Sequence, residues 1–265
     1  MSNLFSNSSL KQFFLEIYNL LKEADSEITE LWVEISEVEF LQNFSESDLL
    51  EFLERFDFIS IQKGNYINYL VVKKILFITM CLRFLELDIN QLSYLLNYDG
   101  FEALIQEILS QHNYVTTKNF RFSDKSTLKY KTTQKRYEID VIGIYQSFVL
   151  IIDAKQWKRK DSYSAMNKAA NLQYQRVIAL KDNPEIISDL IQNLLGIKYN
   201  VRKRLPFTLI PIMVALENNW IKINENSVPI VGIYNLNSFL RELPVNLNYF
   251  KTVELSKIIS QKQLL

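Results

Sequence analysis

Two apolar segments of strand length, separated by a short polar turn, constrain the fold of this chain more than any other feature. The first covers residues 137–145 and the second residues 148–155, and both are rich in Ile, Val, Tyr and Phe. These residue types are enriched in β-strands, so the two segments predict a β-hairpin with residues 146–147 as its turn. With a two-residue turn, Asp140 faces Asp153 across the hairpin.

Both faces of the predicted hairpin carry apolar side chains over most of its length. Side chains alternate across a strand, so Glu138 and Asp140 share one face with Asp153 and Lys155. The opposite face is apolar as well, which predicts helices or another layer on both sides of the sheet. The pattern therefore predicts an α/β core with an ionic cluster at the open end of the hairpin.

Two aspartates facing each other predict a cation between them. Directly opposed side chains have Cβ atoms about 4.5–5.5 Å apart, and like charges at that distance repel. Mg²⁺ accepts carboxylate oxygens together with waters and the phosphate of a substrate. The arrangement predicts Mg²⁺-dependent phosphodiester hydrolysis, with Mn²⁺ as a substitute. The alternative is a strand-end salt bridge to Lys155 without catalytic function.

The pattern Asp140, then Asp153-Ala154-Lys155, resembles the motif of the PD-(D/E)XK nuclease superfamily. The wider context of residues 101–157 is similar to archaeal restriction-endonuclease-like proteins, which are related to Holliday-junction resolvases and Mrr-type enzymes. The resemblance covers about residues 100 to 240. It implies a restriction-endonuclease-like core, with a mixed central sheet flanked by helices.

The resemblance also implies roles for individual residues. Asp140 and Asp153 would hold the metal, and Glu102, in the first turn of a helix predicted over residues 101–110, would supply a third carboxylate. The alternative for Glu102 is a favourable interaction with the helix N-terminus. Lys155 would orient the attacking water or offset negative charge in the transition state.

Two further residues are expected to support this site. Glu138 would pair with Lys155 or hold the metal ligands in place. Gln173 lies on the helix predicted after the hairpin, where relatives carry a Gln-x-x-x-Tyr motif. Residue 177 is Val here, so only the Gln half of that motif is matched.

Basic residues flank the motif on both sides and predict contacts with nucleic acid. Residues 116–136 contain seven Lys or Arg against one acid, Asp124. Such contacts would follow the phosphate backbone without reading sequence. The alternatives are a solvated surface for the charges and a buried anchor for Trp157. The predicted contact residues are Lys118, Arg121, Lys129, Lys131, Lys135, Arg136, Trp157, Lys158, Arg159 and Lys160.

The net charge of zero conceals an uneven distribution along the chain. Residues 1–60 carry 13 acids and 3 bases, whereas the remaining residues carry 17 acids and 27 bases. Apolar residues at helical spacing, including stripes over residues 28–41 and 67–87, predict an all-α N-terminal domain over residues 1–97. A nuclease-like domain would occupy residues 98–265. The acidic domain is expected to contact a protein partner or a second copy of the chain, giving a homodimer.

Several classes of protein are excluded by composition. One cysteine and one histidine leave no disulfide and no cysteine-based or histidine-rich zinc site. The N-terminus lacks the pattern of a signal peptide, and the longest apolar run, residues 75–82, is far too short to cross a bilayer. A cytoplasmic protein without a membrane partner is expected.

The sequence thus predicts a Mg²⁺-dependent deoxyribonuclease of restriction, repair or resolvase type. The alternative function is a catalytically inactive nucleic-acid-binding module on a nuclease fold. RNA as substrate, the preferred DNA structure and endo- or exonuclease action are left open by the sequence.

Overall fold

A computed structural model of the chain describes residues 6–42, 44–84, 89–124, 135–156, 163–196, 201–216 and 221–259. The chain divides into two compact units, Met1–Glu107 and Ile108–Leu265. The predicted boundary between residues 97 and 98 lies N-terminal to this division, at the start of a helix that continues from one unit into the other.

The first unit contains both helices and strands. Its helices are α1 (Asn7–Glu23), α2 (Glu46–Leu53), α3 (Lys74–Phe84), α4 (Ile89–Leu95) and the first part of α5 (Tyr98–Gln111). Its strands are β1 (Glu30–Glu34), β2 (Ile59–Lys63) and β3 (Asn68–Lys73), which form an antiparallel sheet in the order β1-β3-β2. Phenylalanine rings in edge-to-face and stacked pairs fill its interior, among them Phe13, Phe14, Phe52, Phe56, Phe58 and Phe77.

The prediction of an all-α N-terminal domain is therefore wrong. The apolar stripe over residues 28–41 corresponds to β1 and two short 3₁₀ turns, and the stripe over residues 67–87 begins with β3. Leu70, Val71 and Val72 are buried in succession, as in a strand covered on both faces. Short apolar runs of this kind do not distinguish a buried strand from a helix by periodicity alone.

Gly64 closes the β2–β3 hairpin. Its N–H donates to the carbonyl oxygen of Ile67 at 3.0 Å, and a Cβ at this position would lie 2.4 Å from that oxygen. Glycine is thus required at position 64, because any side chain would collide with the backbone oxygen of Ile67.

The second unit is built on a seven-stranded sheet. Its strands are β4 (Val115–Asp124), β5 (Lys135–Tyr145), β6 (Phe148–Lys155), β7 (Phe207–Ala215), β8 (Ile221–Ile223), β9 (Pro229–Gly232) and β10 (Val253–Leu255). The order is β4-β5-β6-β7-β9-β8, with β10 paired to β7. The β6–β7 and β7–β9 pairs are parallel and the others antiparallel. The sheet is mixed, as predicted.

Helices cover this sheet and complete the α/β architecture. They are α6 (Tyr163–Lys181), α7 (Pro184–Leu195) and α8 (Leu236–Asn246). Helix α6 packs on β6 and β7, α7 packs on β4 and β5, and α8 packs on β9. The coarse fold class expected from the hairpin, a mixed sheet flanked by helices, is confirmed.

The predicted register of the β5–β6 hairpin is also confirmed. Tyr145 pairs with Phe148, and the ladder continues to the pair Val141 and Ile152. Gln146 adopts a positive φ of 53° in the turn, the backbone conformation that tight hairpins with two central residues require. The ladder ends one position before the expected Asp140–Asp153 pair.

Strand β5 changes the phase of its side chains at Asp140. Ile139 packs in the same core cluster as Ile142 and Ile144, although strict alternation would place odd and even positions on opposite faces. On the neighbouring strand, Asn119 has a φ of 56°, and the β4–β5 ladder skips the Asn119–Asp140 position. The irregularity in β4 and β5 therefore falls at Asp140, which is one of the predicted site residues.

Two substitutions test the left-handed backbone conformation of Asn119. Asn119 is exposed, and left-handed backbone is tolerated by Gly and Asn but disfavoured for other residues. Asn119→Ala should lower the free energy of unfolding by about 1 kcal/mol, whereas Asn119→Gly should leave it nearly unchanged. Urea denaturation of the three proteins measures this difference. Equal stability of the Ala and Gly variants would contradict the assigned backbone conformation.

Candidate active site

The candidate site lies where β6 leaves the core of the second unit. Residues Val149–Ile152 and Ala154 are fully buried, and Asp153, between them, is only 1% exposed. An uninterrupted apolar run is typical of a strand that is covered on both faces. Asp153 is therefore a carboxylate held within the packed sheet.

Asp140 reaches this strand end through its side chain. The backbone N–H of Ala154 donates to Asp140 Oδ2 at 2.7 Å. This bond occupies the position at which the β5–β6 ladder stops. A side-chain acceptor thus satisfies a buried donor that would otherwise lose its partner where the strands separate.

Lys155 joins the two aspartates. Its Nζ lies 3.1 Å from Asp153 Oδ1 and 3.9 Å from Asp140 Oδ2. The two carboxylate oxygens therefore cannot be farther apart than the sum of these distances. The structure brings together the three residues of the Asp…Asp-x-Lys pattern.

Arg176, which the sequence reasoning missed, completes this group. Its Nη1 donates to Asp153 Oδ1 at 2.5 Å and to Gln173 Oε1 at 2.9 Å. Asp140, Asp153, Lys155 and Arg176 are called the strand-end cluster below. The position of Arg176 in the sequence could have identified it, because it lies one helical turn after the predicted Gln173 and neighbours it on the helix surface.

Gln173 lies behind the strand-end cluster rather than in it. It is fully buried on α6, and its Nε2 donates to the backbone oxygen of Ile151 at 2.7 Å. It shares the buried stripe of α6 with apolar residues: Met166, Ala170, Val177 and Leu180. A polar residue in such a stripe requires hydrogen-bond partners, and Ile151 and Arg176 supply them.

The carboxyl group of Asp140 is perturbed by its surroundings. Burial raises its pKa above the ordinary aspartate value, and the neighbouring charge of Asp153 raises it further. The N–H of Ala154 and the charges of Lys155 and Arg176 act in the opposite direction. The fold thus disfavours the ionised form of Asp140 in the absence of another cation.

The donor set fits a hard divalent cation. Asp153 Oδ2 is enclosed and has no hydrogen-bond partner in the part of the chain that the structure describes. An unsatisfied carboxylate oxygen is costly to bury, and a metal ion is one partner that removes this cost. Among the described residues, no group of three or more His, Cys, Asp or Glu is placed to hold an ion. Water or substrate oxygens would have to complete a Mg²⁺ shell.

Glu138 does not pair with Lys155 as predicted. Arg121 donates to Glu138 Oε1 from Nε at 3.0 Å and from Nη2 at 2.7 Å. Arg121 lies opposite Glu138 in the β4–β5 ladder. The prediction assumed strict alternation along β5, and the change of phase at Asp140 removes Glu138 from the face that carries Asp153.

The other predicted site residues are distributed as follows. Glu102 is buried on α5 and belongs to the first unit, and its role as a third metal ligand stays a prediction. Lys118 and Arg121 lie on β4, and Lys135 and Arg136 begin β5. The remaining predicted contacts lie outside the described residues, namely Lys129, Lys131, Trp157, Lys158, Arg159 and Lys160.

No protein-family model and no curated protein matches the chain. Among solved structures, the chain is similar to the crystal structure of protein VC1899 from Vibrio cholerae, with 14% sequence identity and a TM-score of 0.32. The match covers 92% of this chain and 53% of the other, so the chain spans about half the length of that protein. A likeness this weak indicates neither a fold family nor a function.

In the part of the chain that the structure describes, every helix is too short or too polar to traverse a bilayer.

We expect Asp140→Asn to stabilise the protein when no divalent cation is added. Because the pKa of Asp140 is raised in the folded state, its ionisation lowers stability as the pH rises from the ordinary value of 3.8 through the raised value. Asparagine removes the charge and keeps a side-chain oxygen for Ala154. The gain should be absent below the ordinary pKa and should grow with pH, as measured by chemical denaturation from pH 3.5 to 9.

A matched control for this prediction is Asp182→Asn, because Asp182 is exposed at the end of α6. It should show little change in stability at any pH. A lower stability of Asp140→Asn throughout the range would show that the aspartate is held by favourable interactions instead.

Proposed function

We propose that this protein is a metal-dependent nuclease that hydrolyses phosphodiester bonds of DNA. The observation that carries the proposal is the strand-end cluster, in which Asp140 and Asp153 meet around Lys155 while Asp153 Oδ2 is buried without a hydrogen-bond partner among the described residues. Two carboxylates at the end of a covered strand, beside an amine, are the groups that the PD-(D/E)XK resemblance requires.

Asp140 and Asp153 would hold Mg²⁺, or Mn²⁺ in its place, and water or substrate oxygens would complete its shell. Such an ion, when bound, supplies a water of lowered pKa and neutralises charge at the phosphate. The protein itself supplies a further positive charge near the phosphate. Lys155, with its side chain 23% exposed and close to both aspartates, would donate to the attacking water or to a phosphate oxygen.

The basic residues of β4 and β5 support a polyanionic substrate. Lys118, Arg121, Lys135 and Arg136 belong to the two strands that lead into the strand-end cluster. Lys135 lies 4.8 Å above the ring of Tyr137, which favours a defined position for its charge. Contacts of this kind follow the phosphate backbone and carry no sequence information. DNA inside the cell is the proposed substrate, which implies a cytoplasmic location.

One observation favours the alternative of a catalytically inactive nucleic-acid-binding module. The two carboxylates of the strand-end cluster are balanced by two cationic side chains, Lys155 and Arg176. A balanced network of this kind also occurs as a structural feature without an ion. The two functions differ in whether the cluster is needed for cleavage or only for folding.

Cleavage of labelled DNA in the presence of Mg²⁺ or Mn²⁺ tests the proposal. The substrates should include single strands, duplexes, flaps and four-way junctions. Asp153→Asn and Lys155→Met should each lower the single-turnover rate by at least about 100-fold, because the first removes the charge of a metal ligand and the second removes the amine beside the phosphate. EDTA should abolish cleavage by the unaltered protein.

Asp182→Asn and Lys181→Met are the matched controls, because they make the same chemical changes at exposed positions at the end of α6. They should cleave like the unaltered protein. If both cluster variants retain the full rate, the site is misassigned. If every folded variant and the unaltered protein bind DNA without cutting any substrate, the module is the correct function.

A further inference from the structure

Asp153 has more positive charge around one of its oxygens than around the other. Its Oδ1 contacts Arg176 at 2.5 Å and Lys155 at 3.1 Å, whereas its Oδ2 has no hydrogen-bond partner in the described part of the chain. Two cations therefore share one oxygen atom. Only one of them is needed to neutralise the carboxylate.

Arg176 is the more firmly held of the two cations. Gln173 donates through Nε2 to the backbone oxygen of Ile151, and this bond turns its Oε1 toward Arg176 Nη1. Ile151 lies on β6, two residues before Asp153, so Arg176 is tied to the same strand both directly and through Gln173. Its side chain is 16% exposed, and its planar guanidinium has few ways to satisfy both acceptors at once.

Lys155 is the less constrained cation. It lies between the two aspartates, with the longer distance of 3.9 Å to Asp140, and it is more exposed than Arg176. An ammonium is a point charge on a flexible stem and changes partners without loss of a fixed geometry. Because Arg176 also pairs with Asp153, the carboxylate keeps one counter-ion if Lys155 turns toward a substrate.

We propose that Arg176 is a positioning residue, an inference that rests on the proposed nuclease function. Arg176 fixes Asp153 through Oδ1 and so frees Lys155 for the phosphate. Its own charge also weakens the binding of a cation. The two effects have opposite signs. The guanidinium repels a divalent cation at the same carboxylate, yet it holds that carboxylate in the orientation that the reaction needs.

Cation binding is measured first, without DNA, by titration calorimetry of the full chain with MnCl₂. Arg176→Met removes the charge at similar length and should bind Mn²⁺ about 10-fold more tightly. Arg176→Lys keeps the charge and should bind within about 3-fold of the unaltered protein. Arg241→Met is the matched control, because Arg241 is exposed on α8 in the same unit, and its affinity should not change.

The single-turnover cleavage rate at saturating Mn²⁺ is measured second. Arg176→Met and Arg176→Lys should both be slower by about 10- to 100-fold, since neither preserves the contacts to Asp153 and Gln173. Arg241→Met should cleave at the full rate. Tighter binding of the ion combined with slower cleavage is a combination that loss of folding would not produce.

Several outcomes would overturn the inference. Unchanged or weaker Mn²⁺ binding by Arg176→Met would show that the charge of Arg176 does not weaken cation binding. A full cleavage rate in either Arg176 variant would show that Arg176 does not position Asp153 for the reaction. If Arg176→Met does not fold, Arg176→Lys decides, and anything other than near-normal affinity with a lowered rate rejects the inference. If the unaltered protein binds no Mn²⁺ at millimolar concentration or cuts no substrate, the proposed function fails together with the inference. If it binds and cuts while the variants behave otherwise, only the role of Arg176 is rejected.

Discussion

The arrangement of the second unit depends on how a nearly inaccessible carboxylate is accommodated at the end of β6. Asp153 is 1% exposed, and an isolated charge at such a depth is strongly unfavourable. Arg176 supplies an opposite charge from α6, and Gln173 fixes that charge by a hydrogen bond back to β6. The helix that covers the sheet is therefore joined to it by a polar link within an apolar interface. Removing one member of such a link is costly because the remaining charge stays buried.

The separation of β5 from β6 has the same physical origin. If the hairpin ladder continued past Val141, the side chains of Asp140 and Asp153 would be directly opposed and would repel. Instead Asp140 turns its carboxylate to the N–H of Ala154, and β5 changes phase at this position. The backbone hydrogen bond that the ladder loses is replaced by a side-chain bond of 2.7 Å. Two acids are thus held near each other at the cost of one irregularity in the strand.

The sequence was informative where local patterns decide the structure. The hairpin register follows from two apolar runs and a two-residue turn, and the convergence of Asp140, Asp153 and Lys155 follows from that register. The expected pair of Glu138 with Lys155 was wrong because alternation was assumed to persist through Asp140, and nothing in the residue types of β5 marks a change of phase. Arg176 was missed because a basic residue on a helix is usually solvated, and its burial depends on how α6 is placed on the sheet.

The first unit illustrates a different limit of sequence reasoning. Consecutive buried residues such as Leu70, Val71 and Val72 satisfy a helical stripe as readily as a strand covered on both faces, and only the neighbouring strands decide between them. Gly64 closes the turn directly before the apolar stripe over residues 67–87, which was predicted to be helical and begins with β3. A glycine marks where the chain turns, and it does not indicate which element follows.

The unpartnered oxygen of Asp153 bears on whether the strand-end cluster serves only the fold. A purely structural ion-pair network gains by satisfying every buried acceptor, and apolar residues of similar volume are often at least as stabilising as such a network. Here two cations converge on Oδ1 while Oδ2 has no hydrogen-bond partner among the described residues. This distribution is unfavourable for stability alone, whereas it suits a carboxylate that binds a counter-ion on one side and an exchangeable ligand on the other. The same asymmetry distinguishes Arg176 from Lys155, because a ligand bound at Oδ2 would leave the anchored guanidinium in place and would make the ammonium redundant to Asp153.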